Sequence, residues 1–261
     1  MTQWQTVRLD TPAEGVRLIT LADPERRNAL GDRMRVELSA AIAAVREDGG
    51  ARVLVVGAEG SSFCAGADLP ALFGAEQSGR PVGELRQRLR SYYQSFLALR
   101  DLEIPTIAAV QGPAVGAGLN LALCCDLRIA GPEAKFAATF TRIGLHPGGG
   151  CTYFLTRELG AQRALAIMLD GGALSAAEAL AQGLVLAVEP DPLAEALRRA
   201  ERHAGLRSEL ARDLKSAVRL AAHGDLESVV EFEAWAQAES ATHPEVARFA
   251  ARFERGRQRG D

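Results

Sequence analysis

The sequence predicts a layered α/β core followed by a helical C-terminal portion. Two observations point to it. Short apolar runs alternate with helix-spaced amphipathic segments as far as about residue 140, the pattern of strands covered by helices. Beyond Pro147 the chain reads as mostly helical. No long linker interrupts the 261 residues, and no repeat at a spacing of about 20–50 residues is visible. The chain is therefore read as one unit with two subregions.

In chain order, VRLITLAD (16–23) has strand character, and PERRNAL follows as a turn with a basic pair. DRMRVELSAAIAAVRED (32–48) carries Met34, Leu38, Ile42 and Val45 at helical spacing. VLVVGA (53–58) is a continuous apolar run, as expected of a strand buried on both faces. SSFCAGADLPALFG (61–74) reads as a loop opening into a helical turn, and EQSGRPVG (76–83) as a mobile polar loop. A helix is expected over 84–102 and a strand over IPTIAAVQG (104–112). PAVGAGLN then leads into an apolar helix with Asn120 about one turn inside it. DLRIAGPEAKFAA (126–138) reads as two short strands about a Gly-Pro turn. In LSAAEAL (174–180), Ser175 and Glu178 stand in capping-box register.

About half the residues are hydrophobic and a quarter charged, as in soluble globular chains. A net charge of −3 supplies no bulk attraction to nucleic acid or an anionic membrane. No apolar run reaches the roughly 18 residues of a membrane span. MTQWQTVRLD lacks the basic-then-apolar pattern of a signal peptide. Cys64, Cys124, Cys125 and Cys151 match neither a disulfide framework nor a zinc site, so they read as buried thiols in a reducing cytoplasm. No metal site is expected.

SSFCAGADL (61–69) and PAVGAGLN (113–120) share one design. Each follows an apolar strand and sheds side-chain bulk before a helix. Small residues let a ligand approach main-chain N–H groups, and the first helical N–H groups lack intrahelical partners. Two such groups aimed at one oxygen would form an oxyanion hole. Tight packing against a neighbouring strand is an alternative reason for the same composition. A phosphate cradle is a third, but neither loop has the lysine and hydroxyl residue of a Walker loop, and GPAVGAG fits the dinucleotide fingerprint poorly.

PERRNAL (24–30), SSFCAGADL (61–69), QGPAVGAGLNLALCCDLRIA (111–130) and IGLHPGGG (143–150) resemble, in order, four blocks of the crotonase superfamily of enoyl-CoA hydratases and isomerases; LSAAEALAQGLV (174–185) resembles its next segment. The resemblance implies repeated ββα units with two near-perpendicular sheet layers. It divides the chain into a crotonase-like core with an acyl-CoA site (1–190) and a helical region for oligomer contacts and site closure (191–261). It also implies an acyl-CoA thioester ligand, no cofactor beyond the CoA of the substrate, and a homotrimer or dimer of trimers. The thioester oxygen would lie between the backbone N–H groups of Ala67 and Ala117, with Gly116 beside them. Arg26, Ala29, Ala65, Asp68 and Leu69 fall where the family contacts CoA.

Hydratases of the family carry two glutamates, at positions that read here as Asn120 and Phe140. Dienoyl isomerases and dehalogenases use an aspartate at a position that reads as Gly148. Asn120 can orient water or a carbonyl but has no proton to exchange near neutral pH, and Phe140 has none at all. His146 is the neighbouring group that titrates near pH 7, with Thr139 and Tyr153 as weaker candidates. Asp126 matches a structural aspartate of the family. Two functions follow: an acyl-CoA enzyme with atypical acid and base groups, or a non-catalytic acyl-CoA binder whose Phe140 extends the acyl pocket. At the C-terminus, Val246, Phe249, Ala250 and Phe253 share one helical face, with arginines on the other.

Overall fold

The computed structural model describes residues 4–74 and 79–249, in two compact units divided between Gly205 and Leu206. Residues 76–78 of the expected loop over 76–83 lie outside the described residues, and Val82 and Gly83 belong to a helix.

The first unit begins with an antiparallel hairpin of β1 (Val7–Ala13) and β2 (Val16–Leu21), turned at Gly15 with φ +74°. The hydrophobic pattern does not announce β1, because most of its side chains face solvent along an edge. Helix α1 (Asp32–Glu47) buries Met34, Leu38, Ile42 and Val45, the stripe its spacing predicts. Strand β3 (Val53–Ala58) is buried on both faces. Leu54 and Val56 join the main core, whereas Val53 and Val55 turn to a second cluster. Short α2 (Leu69–Phe73) and long α3 (Val82–Leu97) precede β4 (Thr106–Val110).

From there, consecutive strands separate between two sheets. β4 lies in the large sheet and β5 (Ala114–Val115) in a small one, followed by α4 (Ala117–Leu123). β6 (Leu127–Ala130) returns to the large sheet and β7 (Lys135–Ala137) to the small one, followed by α5 (Cys151–Leu159) and α6 (Ala161–Leu169). The two strands expected about the Gly-Pro turn thus exist but do not pair with each other. β8 (Ala173–Ser175), α7 (Ala176–Ala181), β9 (Ala187–Val188) and α8 (Pro192–Ala204) complete the unit. Ser175 and Glu178 form the expected capping box. The large sheet has the order β1-β2-β3-β4-β6-β9, parallel after the first hairpin, and the small sheet β5-β7-β8. An α/β fold of ββα units is therefore present.

Helix α8 covers the second face of the large sheet. Ala196, Ala200 and Ala204 make a small-residue stripe against Val16, Val55, Ile107 and Ile129, so its backbone packs close to the strands. In the second unit, α9 (Ser208–Ala221) packs on α10 (Leu226–Ala241), which Asp225 caps by accepting from the Ser228 N–H at 2.9 Å. Val246 and Phe249 are exposed, while Ala250 and Phe253 of the expected helical face lie outside the described residues. Among the described residues no helix is long and apolar enough to cross a membrane, and no cluster of metal-ligating side chains occurs.

Candidate functional site

Two loops at the strand ends are bound edge to edge. Cys64 N–H donates to Pro113 O at 3.1 Å, and Val115 N–H donates to Cys64 O at 2.9 Å. This bridge joins the first loop to β5 of the small sheet. Three glycines permit so close an approach. A methyl built on Gly118 would stand 2.2 Å from Cys64 O, and one on Gly112 would stand 2.1 Å from Ser61 O. Gly66, at φ +96°, would set a methyl 2.5 Å from Val115 O and 3.5 Å from the Ala117 amide nitrogen. The sequence thus uses glycine where two backbones meet, which is the packing role its composition left open.

The loops also have polar anchors that the motifs did not single out. Asn28, fully buried at φ +54°, donates from Nδ2 to Glu59 O and Ser62 O, both at 2.9 Å, and accepts from Asp23 N–H at 2.9 Å. Gln111 Nε2 lies within hydrogen-bond reach of the Ala58, Gly60 and Ser62 carbonyls. A polar residue following a strand was the available signal, but the partners are distant in sequence.

Convergence of the loops brings Ala67 and Ala117 to the border of one cavity. Gly116 takes the turn at φ +55°, ψ −114°, so Ala117 can open α4 without a positive φ. Among the described residues, neither the Ala67 nor the Ala117 N–H donates to a protein acceptor; the neighbouring Gly66 carbonyl is taken by Leu30 N–H at 2.8 Å. Both alanines border a cavity of about 460 Å³, within the usual range for small-molecule sites.

Ala65, Leu69, Gly116, Asn120, Phe140 and His146 border the same cavity, as does Thr139. Arg26, Ala29 and Asp68 do not line it. Arg26 is ion-paired with Asp68, which also caps α2 by accepting from the Ala71 N–H at 3.3 Å. Tyr153 is likewise outside the lining; its hydroxyl accepts from Arg100 at 2.9 Å. Asp126 accepts from the Thr106 N–H and hydroxyl at 2.8 and 2.9 Å, a structural role.

Within the cavity, Asn120 is buried. Its Nδ2 donates to Gly148 O at 2.7 Å, which orients the amide and leaves Oδ1 without a hydrogen-bond partner among the described residues. His146 is exposed, with Nδ1 2.7 Å from Pro147 O. The carbonyl can only accept, so Nδ1 carries the proton and Nε2 is the acceptor of the neutral ring. Phe140 lies across from Gly116, 3.6 Å from a methyl built there. Tyr92 and Tyr93 from α3 form much of the wall with Leu72 and Leu89, none of them singled out from the sequence. Burial pushes the Tyr92 phenol far above its ordinary range, and its hydroxyl has no hydrogen-bond partner among the described residues. Burial also raises Tyr93, partly offset by the nearby Gly149 N–H. No aspartate or glutamate borders the cavity among the described residues.

All four cysteines are buried and none forms a disulfide. Burial pushes the Cys64 and Cys151 thiols up to about 12, the opposite of a reactive thiolate.

Paired strands feeding two sheets, with a cavity where two small-residue turns join, define the architecture of the crotonase superfamily. The sequence profile of the enoyl-CoA hydratase/isomerase family matches residues 11–258, and the chain belongs to that family. It is similar to the probable enoyl-CoA hydratase EchA14 of Mycobacterium tuberculosis, with 44% identity over 97% of this chain and 98% of that one. It is 36% identical to the 1,2-epoxyphenylacetyl-CoA isomerase of Escherichia coli over 73% of this chain and 72% of the relative. Among solved structures, subunit I of an enoyl-CoA hydratase from Geobacillus kaustophilus superposes with a TM-score of 0.86 at 31% identity, covering 98% of this chain and 97% of that one.

Proposed function

We propose that this protein is an acyl-CoA enzyme that stabilises a thioester enolate between the Ala67 and Ala117 amides and moves protons without the family's usual carboxylates. One observation carries the reading: among the described residues, two amides without protein acceptors border a cavity lined by no aspartate or glutamate. A carbonyl oxygen held by both amides gains hydrogen-bond strength as it becomes an enolate oxygen, so the interaction favours the transition state over the ground state. Arg26, Ala29 and Asp68 stand beside the first loop as a CoA-facing group, and Ala65 and Leu69 continue it into the cavity. Asn120 Oδ1 is an acceptor for an ordered water. His146 Nε2 is an accessible base. The helical C-terminal region is assigned to assembly as a trimer or dimer of trimers.

The oxyanion role is tested by Ala117→Pro. Position 117 is the first residue of α4, where proline fits the backbone, so the substitution deletes one N–H and keeps the helix. Across an enoyl-CoA panel, turnover is expected to fall by about 10²–10³ with stability preserved. Unchanged turnover would remove that amide from the mechanism. His146→Ala on the same panel tests the histidine, and equal rates would exclude it.

The placement of Phe140 in the wall favours a second reading, a binder that holds acyl-CoA without turning it over. Tight binding of a saturated acyl-CoA, with every enoyl-CoA left unchanged, would select it.

A further inference from the structure

Tyr93, a titratable residue that the sequence motifs did not mark, lines the cavity beside the Gly148–Gly149 turn. Tyr93 Oη occupies the space a side chain at Gly148 would need: a methyl built there would stand 2.3 Å from it. Around the next glycine, a methyl on Gly149 would meet Asn120 Nδ2 at 2.8 Å and the Tyr93 ring at 3.2 Å. The phenol, the Asn120 amide and the Gly148–Gly149 backbone therefore meet at one point. The Gly149 N–H is close enough to the phenol oxygen to offset part of the rise that burial imposes on it.

We propose that Tyr93 is the proton donor to the α-carbon of the bound thioester enolate. This rests on the enolate reading above and names the group that completes it. The Tyr93 O–H bond breaks as the Cα–H bond forms. The enolate π pair supplies the electrons, the thioester C=O is restored, and the phenolate recovers a proton from water. The Gly149 N–H stabilises that phenolate, so the group can lose and regain its proton repeatedly. The other titratable groups in the described lining suit the role less. The buried Tyr92 hydroxyl has no hydrogen-bond partner among the described residues, so its phenolate would have no donor there, and His146 is exposed. No charged side chain of Asp, Glu, Lys or Arg lines the cavity among the described residues.

The test is exchange of the α-protons of butyryl-CoA in D2O, followed by NMR. This reads enolate formation in both directions, whatever the natural acyl chain. Wild-type protein is expected to catalyse exchange at a rate that climbs with pH as the phenol ionises. Tyr93→Phe should lower the rate by at least about a hundredfold, with butyryl-CoA affinity retained. Placing 3-fluorotyrosine at position 93, with its more acidic phenol, should move the climb to lower pH, a shift that a merely structural tyrosine would not produce. If Tyr93→Phe exchanges as wild type does, or the fluorinated protein keeps the wild-type profile, the donor assignment falls and the enolate reading stands. If wild-type protein binds butyryl-CoA but exchanges nothing, both fall.

Discussion

Gly118→Ala sets two effects against each other. Inside an exposed helix the change would stabilise by roughly 0.5–1 kcal/mol, because glycine loses more backbone freedom on folding. Here the new methyl would stand 2.2 Å from Cys64 O and 2.8 Å from Cys64 C, both backbone atoms joined to β5. Ordinary contact begins near 3.4 Å, so α4 and the first loop must part by about 1.2 Å. Overpacking of this kind typically costs about 1–3 kcal/mol, which exceeds the helical gain. The net expectation is a loss of about 1–2 kcal/mol in urea unfolding. The same displacement separates Ala67 from Ala117, and a misplacement near 1 Å can cost about a hundredfold in turnover. Gly83→Ala is the control: Gly83 lies in the first turn of α3 with nothing within 4 Å of the added methyl, so it should hold or raise stability. A Gly118→Ala protein as stable and active as wild type would refute the account of how the loops are joined.

Asn28→Ala removes three hydrogen bonds and puts alanine at a positive φ, so urea unfolding should show a loss of at least about 2 kcal/mol. Glu37 accepts from the Gln5 and Thr6 amides and the Thr6 hydroxyl. Burial raises its carboxyl, but the bonds from Thr6 and Gln5 outweigh that and hold it below its ordinary 4.5. A lowered folded-state value means the stabilisation is present above pH 4.5 and disappears as pH falls through the folded value, so Glu37→Gln should flatten that part of the stability–pH curve. The four buried cysteines should resist a thiol reagent at pH 8 in native protein and all react in denaturant; rapid native labelling of Cys64 or Cys151 would contradict their burial.

Local pattern alone was enough for α1, β3, β4 and the Ser175 capping box, because periodicity and capping involve residues within a few positions of one another. The two small-residue turns were legible for the same reason, and their order and spacing carried the family. What they do to each other was not legible. Cys64 meets Pro113 and Val115 across about fifty residues, and composition alone allows either a ligand cradle or tight packing; the structure shows the packing at Gly118, while the Ala67 and Ala117 amides meet no protein acceptor among the described residues. β6 and β7 looked like neighbours but enter different sheets, since pairing depends on strands contributed from elsewhere in the chain. Tyr93 was invisible in the helix pattern because an aromatic at that spacing reads as core. Only the approach of the Gly148–Gly149 turn, more than fifty residues away, brings its hydroxyl to the cavity, and that long-range contact is set by tertiary packing, which no local propensity encodes.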